Sequence, residues 1–319
     1  MSQLFIVPTN ENGLILDTQI AADISTALSP PFAFDDVYLY AHGWWTSPER
    51  AIQDYNQFTV GYARSVLTAL AASAAGQPSG ALGIGVQWPS MLFNSDSLLS
   101  EAAESATFYE METRADSIGA NAGYALLRCV LGQNPPRHKI NLIGHSFGCK
   151  VVCKLLEELY LDRQTVSVPA DTELNVVLLQ AAFDNDDLEP NNIYGDLATG
   201  FPNLRMLVTT SQLDAALGKL YPLAERLNLF KILGTPRVAI GYDGPTQTVQ
   251  NQFAPVARVS IGPGFTAAAL PPRASYRLLI ADLTPLHADP SSARYAEPLA
   301  GHHSDIFRDE IYSLIAGFV

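Results

Sequence analysis

The stretch that most constrains the fold is residues 144–148, which read GHSFG and so have the pattern G-x-S-x-G. They follow an apolar run at residues 140–143 and precede a helical pattern that extends to about Tyr160. A strand, a sharp turn and a helix in this order place Ser146 at the apex of a strained elbow, where a Cβ on either glycine would collide with a neighbouring element. We therefore predict that the Ser146 hydroxyl stands clear above a sheet, in front of a helix N-terminus that favours developing negative charge.

Five further apolar runs have the character of buried strands. They lack polar alternation, as expected for a parallel sheet that is covered on both faces. Helical patterns alternate with them, most clearly at residues 151–159, where apolar residues recur with a period of 3.6. The runs lie at residues 37–41, 82–86, 174–179, 204–208 and 278–283. This alternation predicts a doubly wound, mostly parallel α/β sheet flanked by helices, in which ligands bind at the carboxyl ends of the strands.

The remaining segments are assigned to the margins of this sheet. Residues 4–7 and 14–16 are short apolar runs separated by turn residues, and we interpret them as a hairpin or an edge pair. Residues 215–276 precede the last predicted strand and hold a helical piece and two short β-like runs, one of them at residues 256–261. We interpret residues 215–276 as an insertion or lid segment within a single domain that spans residues 1–319.

Composition excludes several classes of function. The net charge is −13 and the sequence has no clusters of Lys or Arg, which argues against nucleic acid and anionic membrane surfaces as partners. No apolar run reaches 18 residues, so no membrane-spanning helix is expected, and the N-terminal residues do not resemble a signal peptide. We expect a cytoplasmic protein, of undetermined oligomeric state.

No cofactor is predicted. The sequence contains neither G-x-G-x-x-G nor a phosphate-binding P-loop, and no cluster of His and Cys has the spacing of metal ligands. Three cysteines are too few for a disulfide framework. Cys149 and Cys153 lie four residues apart on one predicted helix, and we interpret both as packing residues rather than metal ligands.

Several motifs together resemble the α/β-hydrolase family. His42-Gly43-Trp44 follows one strand, the elbow at Ser146 follows a central strand, an aspartate follows a later strand, and a histidine precedes the last helix. The order Ser, Asp, His is that of the family. The stretches HGWWTSPERA, VQWPS and GHSFG are also similar to a poorly characterised subgroup of esterase-like or lipase-like serine hydrolases. The resemblance covers nearly the whole chain and implies that Ser146 is a nucleophile.

A serine nucleophile needs an adjacent base, and three histidines are candidates. The resemblance favours His303, which lies immediately before the predicted terminal helix of residues 306–316. His302 and His287 remain as alternatives. Asp305 is interpreted as a cap of that helix, because it is too close to His303 in sequence to reach the far ring nitrogen.

The acid that orients the base is expected after a strand beyond the elbow. We favour Asp214, which comes a few residues after the run at 204–208. The alternative is Asp184, one strand earlier, in an acidic turn that also contains Asp186 and Asp187.

The resemblance also implies an oxyanion hole and a substrate cleft. The two backbone N–H donors of the oxyanion hole would be those of Phe147 and Trp44, and His42 would brace the loop that carries Trp44. Trp45, Trp88 and His145 are predicted to contact substrate, and Leu92 and Phe93 to line the same apolar cleft. The resulting hypothesis is hydrolysis of a small carboxylic ester through an acyl-enzyme. Acyl transfer, amide or peptide hydrolysis, and a binding protein without catalysis are the alternatives.

Overall fold

A computed structural model of the chain describes residues 3–29, 34–73, 80–91, 101–132, 139–223, 238–297 and 300–319. In these residues, eight strands form a single sheet. The strands are β1 (Gln3–Pro8), β2 (Phe34–Ala41), β3 (Gly80–Gln87), β4 (Lys139–His145), β5 (Glu173–Leu179), β6 (Leu204–Thr210), β7 (Val256–Ser260) and β8 (Leu278–Asp282). Their order is β1-β3-β2-β4-β5-β6-β8-β7, and every neighbouring pair is parallel. The predicted parallel α/β sheet is confirmed.

Helices cover both faces of this sheet. They are α1 (Thr18–Leu28), α2 (Pro48–Ser73), α3 (Glu101–Ile118), α4 (Tyr124–Leu131), α5 (Gly148–Leu161), α6 (Leu197–Gly200), α7 (Ile240–Asp243), α8 (Gln247–Gln252), α9 (Thr284–His287) and α10 (Asp309–Phe318). A π-helical turn, Gly119–Gly123, joins α3 to α4. One apolar core contains side chains of α1, α3, α4 and α5, and the other contains side chains of α2 and α10. No helix in the described part of the chain is long and apolar enough to cross a membrane.

The central strands supply side chains to both cores, which explains their continuous apolar sequence. Leu142 of β4 packs in the core under α5, whereas its neighbour Ile143 packs in the core under α2. In β5, Val176 and Val177 divide between the two cores in the same way. Successive side chains of a strand point to opposite faces, so a strand that is buried on both faces is mostly apolar; the buried Asn141 of β4 and Asn175 of β5 bond to each other.

The first strand corrects one prediction. Residues 4–7 and 14–16 do not form a hairpin, because β1 pairs in parallel with β3, from Gln3 opposite Leu82 to Pro8 opposite Gln87. Residues 14–16 instead pair antiparallel with residues 8–10: Thr9 and Ile15 form a bridge, the Asn10 N–H donates to Leu14 O at 3.0 Å, and the Leu16 N–H donates to Pro8 O at 2.9 Å. In these two runs only Val7 is buried, and Leu14 and Leu16 are exposed, so the runs predicted neither burial nor the strand to which they pair.

Two other boundaries differ from the prediction or add to it. The β-like run at residues 256–261 forms β7, the edge strand beside β8, so part of segment 215–276 belongs to the sheet; residues 224–237 lie outside the described part. The terminal helix α10 begins at Asp309 rather than at residue 306, and Arg308 is its N-cap. Asp305 is therefore not a helix cap; it is buried, and its carboxylate accepts hydrogen bonds from His302 and Arg308.

Candidate active site

The serine elbow is formed where β4 meets α5. Ser146 has φ +54°, a left-handed conformation that side chains other than glycine seldom adopt, and its N–H donates to Leu179 O at 3.0 Å. A Cβ on Gly144 would lie 2.5 Å from Cys149 Cα, and one on Gly148 would lie 2.0 Å from Ala41 O. Both glycines are therefore required by the close approach of α5 to the sheet, as expected from the sequence.

Three of the predicted site residues form one chain of hydrogen bonds. His303 Nε2 lies 2.8 Å from Ser146 Oγ, and His303 Nδ1 lies 2.7 Å from Asp214 Oδ2. An ionised carboxylate can only accept, so Nδ1 carries the proton, and Nε2 of the neutral ring accepts from the serine hydroxyl. Asp214 follows β6 and His303 precedes α10, so residues distant in sequence meet at the carboxyl ends of the strands.

The charge of Asp214 favours the protonated form of His303. Burial by itself disfavours the imidazolium, but the negative charge of Asp214 and its hydrogen bond outweigh burial and raise the pKa of His303 above its ordinary value. Asp214 is fully buried, and its Oδ1 accepts from the Leu217 N–H at 2.9 Å. In the described ranges, no Arg or Lys forms an ion pair with Asp214.

His145 supports the loop that carries His303. Its Nε2–H donates to the His303 carbonyl oxygen at 2.9 Å. Burial, and then the neighbouring His303, lowers the pKa of His145 to about 3, so the ring is neutral. The structure thus places His145 against the backbone of His303, and its contact with substrate stays a prediction.

The loop after β2 presents a backbone N–H group beside the elbow. His42 Nε2 accepts from the Trp88 N–H at 3.3 Å, so the proton lies on Nδ1, which donates to Gly43 O at 2.9 Å. Because C=O and N–H point in opposite directions in a trans peptide, this bond also fixes the direction of the Trp44 N–H. Among the described residues, the N–H groups of Trp44 and Phe147 donate no hydrogen bond and remain available to a ligand.

An aromatic cluster lies against the elbow. The ring of Phe147 is 5.9 Å from that of Trp44 and 5.1 Å from that of Phe108, and the Phe108 ring is 5.4 Å from that of Tyr221. Trp45 contacts Trp44 and keeps 43% of its surface exposed. Phe147, Phe108 and Tyr221 are buried, so Trp44 and Trp45 are the members of the cluster with surface exposed beside the elbow.

Trp88 has a different setting from the predicted substrate contact. It is buried, its ring stacks on His42 with centroids 5.4 Å apart, and its Nε1–H donates to His42 O at 2.9 Å. The side chain braces the loop before Trp44. Leu92 and Phe93, assigned to the same cleft, lie outside the described residues.

Comparison with known proteins assigns the chain to a family. The sequence profile of a family described as "Alpha/beta hydrolase of unknown function (DUF900)" matches residues 34–225, more than half of the chain. The chain belongs to this family of alpha/beta hydrolases. A search of the curated proteins found no match. The matched residues include the strands β2 to β6, the elbow and Asp214, whereas His303 lies beyond them.

The other two histidine candidates of this alpha/beta hydrolase form a separate buried group. His302 Nδ1 lies 3.2 Å from Asp305 Oδ2, and the His302 ring stacks on that of His287 with centroids 4.9 Å apart. His287 Nδ1 is 2.8 Å from Ser211 Oγ, and burial lowers the pKa of His287 to about 4. In the described part of the chain, the only side chain that hydrogen-bonds to Ser146 Oγ is that of His303.

The alternative acid, Asp184, belongs to a polar cavity away from this chain of hydrogen bonds. Carboxylate oxygens of Asp184, Asp186 and Asp187 lie within 4.8 Å of one another, and burial raises the pKa of Asp187 to about 7. The cavity has a volume of about 360 Å³ and includes the buried ammonium group of Lys150. Three carboxylates are chemically suited to a cation, but acidic groups of this kind are common without one.

One buried residue of the site, Gln180, was not predicted from the sequence. Gln180 follows β5 directly and is completely buried, and its Nε2 donates to Asp214 Oδ2 at 2.7 Å and to His302 O at 3.1 Å. It belongs to no motif. The one available indication was its position, because it is the polar residue at the carboxyl end of a buried strand.

Proposed function

We propose that this alpha/beta hydrolase is a serine hydrolase that cleaves a carboxylic ester. The observation that carries the proposal is the hydrogen-bonded chain from Ser146 Oγ through His303 to Asp214, with distances of 2.8 and 2.7 Å. A serine becomes nucleophilic when a neutral imidazole accepts its proton, and the carboxylate holds that imidazole in the required tautomer.

In the proposed reaction, Ser146 Oγ attacks the acyl carbonyl carbon while its proton moves to His303 Nε2. The negative charge of Asp214 stabilises the resulting imidazolium. The oxyanion of the tetrahedral intermediate accepts hydrogen bonds from the N–H groups of Trp44 and Phe147. When the intermediate collapses, the bond to the alcohol oxygen breaks and His303 returns the proton to that oxygen. An acyl-enzyme on Ser146 remains.

Water completes the cycle by the same route. His303 takes a proton from water as the oxygen attacks the acyl carbonyl, and then gives that proton to Ser146 Oγ as the carboxylic acid leaves. The indole rings of Trp44 and Trp45, which keep exposed surface beside the elbow, support an ester whose acyl or alkoxy group is apolar.

The test uses a fluorophosphonate probe and a series of p-nitrophenyl acyl esters. The wild-type protein should be labelled and should hydrolyse at least one ester, and Ser146→Ala should lose the label and about 10⁶-fold in kcat. Ser275→Ala, in an exposed turn, is the matched control and should behave as wild type. Labelling that persists unchanged in Ser146→Ala would overturn the proposal. Product analysis with an added alcohol separates hydrolysis from acyl transfer.

A further inference from the structure

We infer that Gln180 is a positioning residue that fixes the acid, Asp214, relative to the base, His303, in the proposed site. The inference rests on the proposed function, since it takes His303 as the base. Gln180 contacts no reacting atom, and it acts through the carboxylate of Asp214 and the backbone of His302.

Three hydrogen bonds fix the position of Gln180, one from its backbone and two from its side-chain amide. The residue follows β5 with φ +44°, and its backbone N–H donates to Thr209 Oγ1 at 2.8 Å. The side-chain nitrogen lies 2.7 Å from Asp214 Oδ2 and 3.1 Å from His302 O. A carboxylate and a carbonyl both only accept, so the atom between them must be the NH₂ group.

These two bonds connect the loops that carry the acid and the base. Two backbone hydrogen bonds also join the turn around Asp214 (residues 213–215) to the turn before His303 (residues 300–302). The His302 N–H donates to Leu213 O at 3.3 Å, and the Ala215 N–H donates to Ala300 O at 3.1 Å. Gln180 adds the only side-chain donor that bonds to both turns among the described residues. It holds in place the Asp214 oxygen that accepts the His303 Nδ1–H. The position of that oxygen in turn orients the imidazole ring.

A purely structural role accounts poorly for an amide at this position. Gln180 is completely buried, yet its Oε1 accepts no hydrogen bond from the described residues. A buried polar atom without a partner is costly, and an apolar side chain of the same size would avoid that cost. The NH₂ group that bridges Asp214 and His302 gives a reason to retain glutamine.

The amide also reduces the effect of Asp214 on His303. The partial positive charge of the NH₂ group lies beside the carboxylate oxygen that faces the imidazole, and it opposes protonation of the ring. Without this donor, Asp214 favours the imidazolium more strongly. The pKa of His303 should then rise, and less of the base should be neutral at a given pH.

The experiment compares Gln180→Met with Asn175→Leu. Methionine is close to glutamine in size and cannot donate. Asn175 is a matched control, since it is also a buried amide on β5, and its Nδ2 donates to Asn141 Oδ1 at 2.9 Å at the far end of the strand. We expect Gln180→Met to lower kcat for a p-nitrophenyl ester about 10- to 100-fold, the range of one lost hydrogen bond to a charged group, with KM little changed. The acid limb of its kcat/KM profile should move to higher pH.

Asn175→Leu should lower thermal stability while leaving the position of the acid limb at its wild-type value. If Gln180→Met does not fold, Gln180→Leu also removes the donor and should move the acid limb in the same direction. Proton NMR titration of His303 in the Ser146→Ala background measures the same pKa without turnover.

Two failures can be distinguished. A wild-type protein that neither reacts with the probe at Ser146 nor hydrolyses esters contradicts the proposed function. A wild-type protein that does both, together with a folded Gln180→Met or Gln180→Leu variant whose acid limb and His303 pKa are unchanged, contradicts the role of Gln180 alone.

Discussion

Two adjacent histidines in this hydrolase make the same bond and have different surroundings. His302 and His303 each direct Nδ1 at a buried carboxylate, with His302 3.2 Å from Asp305 and His303 2.7 Å from Asp214. Both carboxylates are almost completely inaccessible to water. By residue type and burial, the two pairs are nearly equivalent.

The difference lies in what else each pair contacts. Asp305 also accepts from Arg308 Nη1 at 3.3 Å, and the ring of His302 is covered by His287. Asp214 has no arginine or lysine partner in the described ranges, and the far nitrogen of His303 reaches Ser146. A His–Asp pair is thus suited to act as a base where its negative charge is not compensated by a cation and its second ring nitrogen meets a hydroxyl. The pair of His302 meets neither condition.

The largest expected difference is in catalysis by the two histidines. His303→Ala should lower kcat/KM for a p-nitrophenyl ester by about 10⁵-fold, because Ser146 loses its base. His302→Ala should lower kcat/KM by less than about 10-fold, since the backbone carbonyl of residue 302, which bonds to Gln180, is retained. Comparable losses in the two variants would remove the functional distinction between the pairs.

The two aspartates should differ in which property they affect. Asp214→Asn should lower kcat about 10⁴-fold, because an amide in place of the carboxylate favours the wrong tautomer of His303. Asp305→Asn should leave kcat within about 10-fold but lower the free energy of unfolding by about 2 kcal/mol, because Arg308 loses one of its two charged partners and keeps only Glu310. Urea denaturation and steady-state kinetics on both variants measure the two effects. A loss of stability in Asp214→Asn as large as that in Asp305→Asn would contradict the expected division.

The smallest effect expected is on the pH profile. The base must be neutral to accept a proton, so kcat/KM should rise with pH through the pKa of His303, which lies above the ordinary value of about 6.5. His302→Ala should leave this limb in place. In Asp214→Asn the negative charge is absent and burial dominates, so the pKa of His303 should fall and the limb should move to lower pH. The residual activity of Asp214→Asn can be followed as the rate of fluorophosphonate labelling against pH. If the acid limb of that profile stays at its wild-type position, Asp214 does not set the pKa of His303.

The parts of the fold that follow from local chemistry were predictable from the sequence. The glycines of the elbow and the apolar runs of β2 to β6 and β8 reflect close approach and burial on both faces, and each leaves a local pattern. The pairing of β1 with β3 does not, because an apolar run shows that a strand is buried and not which neighbour it meets. The edge strand β7 is partly exposed and has a correspondingly weak pattern.

The site shows the same limit. The order of Ser146, Asp214 and His303 along the chain, read through a family resemblance, selected residues that the fold brings together. Gln180 and the packing of Trp88 on His42 were missed because their partners lie on other segments, whereas Asp305 was assigned as a cap because the helix was predicted to begin three residues too early. A buried amide and a stacked indole are defined by contacts that no local spacing encodes.

The pairing of β1 with β3 has a consequence for the order in which the chain folds. Gln3 lies opposite Leu82, so about 80 residues must be present before the first strand finds its only partner in the described sheet. Contacts of such long sequence separation require loop closure before they contribute stability, and they form slowly. During synthesis, β1 should therefore remain an unpaired apolar segment until β3 has emerged, and it should join a sheet nucleated elsewhere.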